Sequence, residues 1–278
     1  MQQNAEQARK QSSKDFKRDT GISLENFDTL TSLVTSHIAA SYKENPNKSK
    51  GVPSFLSTSD RVLLTLYYLR HYITFKNLGD NFGISESYAN KLYHAILTIL
   101  AKELHVSGAK ELSNTDLDTI IIDVTEQQIE RPVKNQKKYY SGKKKKHTIK
   151  VQLVICLFTM TILCVKAAKG AVHDFKIFKE SGYYIHPDIE LLADSGYQGI
   201  DKIHLNSWIP FKKSKKQPLT LEQKKDNKKL AQLRIYVEMA NRRCKIFKIT
   251  KDTYRGKHKN YGKVWNVVAG LVNLRYAA

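Results

Sequence analysis

Between Val151 and Val165 the chain runs for fifteen residues without a single charge. As a helix that run would reach roughly 22 Å, short of the roughly 30 Å of a bilayer's hydrocarbon. Seven of the fifteen residues are Val, Ile or Thr, which suit a pleated surface better than a helix. The run therefore predicts two buried strands, 147–156 and 160–168, around a turn near Phe158-Thr159. Two shorter apolar runs go with them. Leu117–Val124 (LDTIIIDV) carries Asp123 at its end, and Ile189–Ala193 runs into Asp194.

The text before the strands has helical spacing. Leu24, Phe27, Leu30, Leu33 and Val34 mark a helix over 23–42 that Ser23 can cap, and Asn45–Pro53 reads as a loop. Leu63, Leu64, Tyr67 and Tyr68 mark a second helix ending near His71. A short helix (74–81), the turn Phe82-Gly83-Ile84 and a longer helix capped by Ser85 follow. Helix, glycine turn, helix is the outline of a helix-turn-helix, and equally of a plain bundle with a glycine cap. The first turn of the longer helix holds Ser85, Ser87, Asn90 and Lys91, residue types that can read base edges or phosphates. After the strands, Lys202–Lys229 reads mostly as loop, and a long helix from about Leu221 to Ile249 precedes a C-terminal one. The chain thus divides into a basic tail (1–22), a helical region (23–110) and an α/β region (115–278).

Charge decides the class of partner. Lys plus Arg number 47 and Asp plus Glu 26, a formal net charge of +21 and a pI of about 9.7. A polyanion is the partner that balance fits, and a small-molecule substrate or a membrane is not called for. Lys143, Lys144, Lys145 and Lys146 form the densest cluster. With 41% apolar residues the chain can bury a core, so wholesale disorder is excluded. Three cysteines without metal-ligand spacing and a polar first twenty residues predict a reduced, cytoplasmic protein.

Candidate chemistry lies in the carboxylates. On the long helix Leu230, Leu233, Val237, Ala240, Cys244 and Phe247 form a core stripe, and Arg234, Glu238, Asn241 and Lys245 follow one residue later as a polar row beside it. Carboxylates at strand ends beside such a row suit two hard cations for phosphoryl transfer. Taken singly, each has an ordinary explanation. Asp123 and Asp194 can serve as turn residues, Glu238 can pair with Arg234 or Arg242 on the helix surface, and Asp174, the main rival for a metal ligand, can cap a helix over 175–180.

Several segments in order raise the stakes. LLTLYYLRHYITFKNLGDNFGIS, IIDVTEQQIERP, KKYYSGKKKKHTIKVQLV, HDFKIFKES, LLADSGYQG and LRIYVEMANRRCKIFK together resemble the DDE transposases of bacterial insertion sequences, in the insertion-sequence-five group related to the Harbinger transposases. The resemblance implies an RNase-H-like catalytic domain behind an N-terminal all-α helix-turn-helix region. It makes Asp123, Asp194 and Glu238 the catalytic and metal-holding triad, with two magnesium ions (manganese substituting) and no covalent intermediate. Arg234, Glu238 and Lys245 match the group's arginine–glutamate–lysine signature, while Ala231 stands where the group has tyrosine. Arg234 and Lys245 are then DNA contacts beside Lys143–Lys146. The implied activity is cleavage at the element's terminal repeats and joining of 3′ ends to target DNA, by a homodimer at synapsis, in a nucleoid-associated protein. The alternative is a decayed or domesticated copy that binds DNA and no longer cuts.

Overall fold

Six helices precede the first strand among the described residues, 3–44, 55–104, 106, 112–113, 117–213 and 218–276 of a computed structural model. They are α1 (Ala5–Arg9), α2 (Ser13–Thr20), α3 (Leu24–Glu44), α4 (Thr58–His71), α5 (Phe75–Phe82) and α6 (Glu86–Glu103). The expected loop at 45–53 lies outside the described residues. The helices group with two later segments, so that one unit comprises Met1–His105, Lys245–Asp252 and Asn266–Ala278. A second unit comprises Val106–Cys244 and Thr253–Trp265.

The segment read as a basic tail, 1–22, holds α1 and α2. Asn4 and Ser12 cap the two helices through their side chains, and Phe16, 1% exposed, meets Phe27 edge-on at 5.4 Å. One buried phenylalanine outweighs the polar text around it. Gly21 closes α2 with φ +87°, and a Cβ there would stand 2.6 Å from the Phe247 ring. The position therefore needs glycine both for its backbone and for the ring against it. Arg70 donates to the carbonyls of Arg18 and Ile246, and Arg275 donates to Gly21 O at 2.7 Å, which ties the late segments to these helices.

The helix-turn-helix outline is built as its punctuation predicts. Ser57 and Asp60 form a capping box at α4, Thr74 caps α5, Gly83 ends α5 in the left-handed region, and Ser85 caps α6. Tyr68 of α4 stacks on Phe75 of α5 (4.4 Å, 12°) and packs against Tyr93 of α6 (4.5 Å). Three helices are thereby pinned through one ring. Gly79 lets the turn close: a Cβ there would stand 2.5 Å from Ile84 O.

In the second unit the strands are β1 (Thr119–Gln128), β2 (Tyr140–Ser141), β3 (Lys146–Cys156), β4 (Ile162–Lys169), β5 (Glu190–Leu192) and β6 (Ser207–Trp208). The helices are α7 (Gln136–Tyr139), α8 (Asp174–Lys179) and α9 (Leu221–Lys245, up to Cys244 in this unit), together with the start, 261–265, of α10 (Tyr261–Tyr276), whose remainder belongs to the first unit. The sheet is mixed, in the order β2-β3-β1-β5-β6, with β4 paired to β3. β1 runs antiparallel to β3 and parallel to β5. Ile120, Ile122, Val154, Leu191 and Ala193 face Phe178 of α8 and Tyr197 in one core.

Four boundaries differ from the sequence reading. β1 continues to Gln128, so Asp123 lies mid-strand, opposite Leu153. The polar text TEQQ can be strand because Gln127 accepts from Tyr261 Oη at 2.8 Å and Glu126 accepts from Thr148 at 2.5 Å. α8 starts at Asp174 itself, with His173 at the capping position, so Asp174 is not the cap. β6 lies in text read as loop, and α9 stops at Lys245 before a 3-10 turn at Lys248–Thr250.

Replacing Phe16 with alanine should cost about 3–5 kcal/mol of unfolding free energy, the usual loss for a buried phenylalanine. Denaturant titration of the full chain checks this. No loss would mean that α1 and α2 contribute nothing to the helical unit.

Candidate active site

Strand pairing brings the first two carboxylates together. The parallel register Ile120–Leu191 and Ile121–Leu192, carried past its last pair, sets Asp123 of β1 beside Asp194 just beyond β5. Asp194 then caps the 3-10 turn Ser195–Tyr197, its Oδ1 accepting from Gly196 N at 2.7 Å. Its other oxygen, Oδ2, lies 3.9 Å from Nη2 of Arg234, and the same nitrogen lies 3.6 Å from Oδ1 of Asp123. Two acids from neighbouring strands thus share one guanidinium from α9. Asn241, two turns further along α9, donates to Oδ2 of Asp123 at 3.3 Å.

Glu238 lies between Arg234 and Asn241 on that row of α9, four residues from one and three from the other. It is exposed, and among the described residues its carboxylate has no partner. Among the described residues no three His, Cys, Asp or Glu side chains stand close enough to form a ready-made metal cage. Asp123 and Asp194 converge and Glu238 stands off on the same helix row.

Asp174 belongs to this corner although it caps nothing. Lys150 of β3 holds its Oδ1 at 2.9 Å and donates to Val172 O at 2.8 Å. A Cβ on Gly196 would lie 2.9 Å from Asp194 Oδ1 and 3.3 Å from Asp174 Oδ2, so only glycine fits between the two acids. Tyr197, fully buried, donates to Gln152 Oε1 at 3.2 Å. Burial holds that phenol well above its usual range, and Asp123, Asp174 and Asp194 push it the same way.

Burial also raises the Asp123 carboxyl, to about 6. Arg234 pulls it down, Asp194 and Asp174 push it up, and desolvation wins. Among the described residues three polar atoms here are buried without a hydrogen-bond partner: Arg234 Nε, Asn241 Oδ1 and Gln152 Nε2. Only Asn241 Oδ1 of the three can accept, and together with the two carboxylates it makes an all-oxygen set that fits a hard divalent cation. Lys150, Asn241, Gln152 and Tyr197 were not singled out from the sequence as site residues. Gln152 had a signal, being the one amide within an uncharged strand run.

The expected DNA contacts are scattered along the chain. Ser85, Ser87 and Lys91 are exposed at the start of α6 and Asn90 is half-buried, while the Ser85 hydroxyl is spent on capping Tyr88 N at 3.3 Å. Lys143–Lys146 are exposed where β2 turns into β3, and Lys146 donates to Gln128 at 3.1 Å. Lys245 is the last residue of α9 and groups with the helical unit. No described helix is long and apolar enough to cross a membrane.

Two family models and two known proteins match the chain. Residues 122–273 match the DDE superfamily endonuclease family, and residues 54–105 match the helix-turn-helix of DDE superfamily endonucleases. The chain is 39% identical, over 98% of both sequences, to a probable transposase for insertion sequence element IS702 of Microchaete diplosiphon. It is 27% identical, over 84% of both, to a putative transposase for insertion sequence element IS112 of Streptomyces albus G.

The raised Asp123 carboxyl makes a signed prediction for the chelator-treated protein. Its folded value of about 6 exceeds the roughly 3.9 of an unfolded aspartate. The native state therefore holds the proton more tightly, and stability should fall as pH rises from about 4 to 6. Asp123→Asn removes that penalty, so the variant should gain up to about 3 kcal/mol on wild type at pH 7 and little at pH 4. Denaturant midpoints at the two pH values check it, and an equal difference at both would refute it.

Proposed function

The chain belongs to the DDE superfamily of transposases, and from that membership we propose that it mobilises its own insertion sequence. It would bind the terminal repeats, cleave there and join the 3′ ends to target DNA. Endonucleases of this superfamily use divalent metals. The observation that carries the reading is the convergence of Asp123 and Asp194 on one guanidinium, beside a helix that offers Glu238. Within the superfamily we place the chain in the insertion-sequence-five group, related to the Harbinger transposases, and take the sheet unit as RNase-H-like.

Asp123, Asp194 and Glu238 are proposed to hold two divalent ions, magnesium or manganese. These would supply an activated water or 3′-hydroxyl and stabilise the leaving oxygen of an in-line displacement. The chain's own side chains do the rest. Asn241 fixes one oxygen of Asp123, Gly196 N fixes one oxygen of Asp194, and Lys150 keeps Asp174 turned by holding its Oδ1. Ser85, Ser87, Asn90 and Lys91 of α6 are the proposed readers of the element's end, within a DNA-binding region over 23–110. Lys143–Lys146 and Lys245 would neutralise phosphates, so binding would weaken steeply with salt. Two ends must meet for the reaction to finish, which makes a homodimer the proposed synaptic form, on nucleoid DNA.

Asp123→Asn, Asp194→Asn and Glu238→Gln should each abolish nicking and joining while leaving end binding nearly intact. The amides keep shape but lose the charge that holds the ions. Assaying binding, nicking and joining separately on the element's own ends checks this, and a Glu238→Gln protein that cuts at the wild-type rate sinks the triad.

Changing Asn90 and Lys91 to alanine should weaken binding to the cognate end more than to random DNA, by about 1–3 kcal/mol per lost base contact. Equal weakening on both DNAs would leave α6 without a role in reading sequence.

A further inference from the structure

We propose that Arg234 is the resident counter-ion of Asp123 and Asp194, and that a divalent cation can take both carboxylates only as this guanidinium leaves them. This rests on the reading that these two aspartates hold the metal.

The geometry is that of a movable charge. A guanidinium that clamps carboxylates structurally does so with paired hydrogen bonds near 2.7–2.9 Å. Arg234 instead stands at 3.6 and 3.9 Å from the two acids through one nitrogen, beyond hydrogen-bond range. Its Nε is buried with no hydrogen-bond partner among the described residues. The side chain is thus held by attraction to two negative charges and by little else, and it forgoes hydrogen bonds to stay there. A divalent ion on the same oxygens would face a like charge a few ångströms away, a repulsion of several kcal/mol at the effective dielectric of a protein. The two cannot share the pair.

The row on α9 supplies the exchange. Arg234, Glu238 and Asn241 lie one above another along one helix face. Asn241 already bonds Asp123, while Glu238 is exposed and uncommitted. With Arg234 in place the two aspartates and the guanidinium sum to −1. With Arg234 withdrawn and Glu238 turned in, the same corner carries −3, a set able to hold two divalent ions. A displaced guanidinium has a natural destination in a phosphodiester, whose oxygens match its fork. Cation and DNA would then assist each other through one side chain, by the same factor in either direction.

Manganese binding to the full chain, read at pH 8 from the electron paramagnetic resonance signal of the free ion, tests this without any cleavage step. Arg234→Gln, and Arg234→Met as a second variant of similar stem, should bind manganese about tenfold more tightly than wild type or better. Arg234→Lys, which keeps the charge, should stay within about threefold of wild type. Adding Asp123→Asn to Arg234→Gln should abolish the gain. Equal or weaker binding by both the Gln and Met variants, with wild type binding normally, overturns the proposal and leaves the metal reading standing. Absence of binding in wild type and variants alike overturns both.

Discussion

Like charges placed side by side in a sheet are the constraint on which this structure turns. The parallel pairing of β1 with β5 sets Asp123 level with Asp194, and the turn at Gly196 brings Asp174 against the second of them. Burial raises the cost of ionising Asp123, and the charges of Asp194 and Asp174 add to it. The cations nearby offset part of that cost. Arg234 reaches in from α9 and Lys150 from β3, each from an element that also lines the corner. Neither is a surface ornament of a basic protein. Each is 28% exposed or less at its side chain.

The same logic separates the two kinds of lysine in the chain. Lys150 lies inside β3, is 15% exposed and has two partners. Lys143–Lys146 crowd a turn and stand in solvent. A net charge of +21 describes the second kind. The first kind is local chemistry, and composition cannot see it.

How much the sequence reveals follows the range of the forces involved. Capping residues and glycine turns act over a few positions, so α4, α5 and α6 come out where Ser57, Thr74, Gly83 and Ser85 put them. The uncharged run gives β3 and β4 for the same reason. What escaped depends on partners far away in the chain. Phe16 is one aromatic in polar text until Phe27 meets it, and the end of β1 is polar until Tyr261 and Thr148 take up its side chains. β6 is two residues long and exists through its pairing with β5. At the site, Asp123 and Asp194 stood out as acids ending apolar runs but were set apart from turn residues only by the family resemblance, whereas Lys150 and Asp174 became partners only once β3 and α8 were placed. Asp174 at the start of a helix has the look of a cap in one dimension and lies against Gly196 in three.

Burial of Asp123 carries a consequence for how position 123 is inherited. Desolvation makes a charged carboxylate there costly, so exchange to asparagine relieves the fold at neutral pH rather than burdening it. Whatever keeps an aspartate at this codon must therefore act against folding stability and not through it.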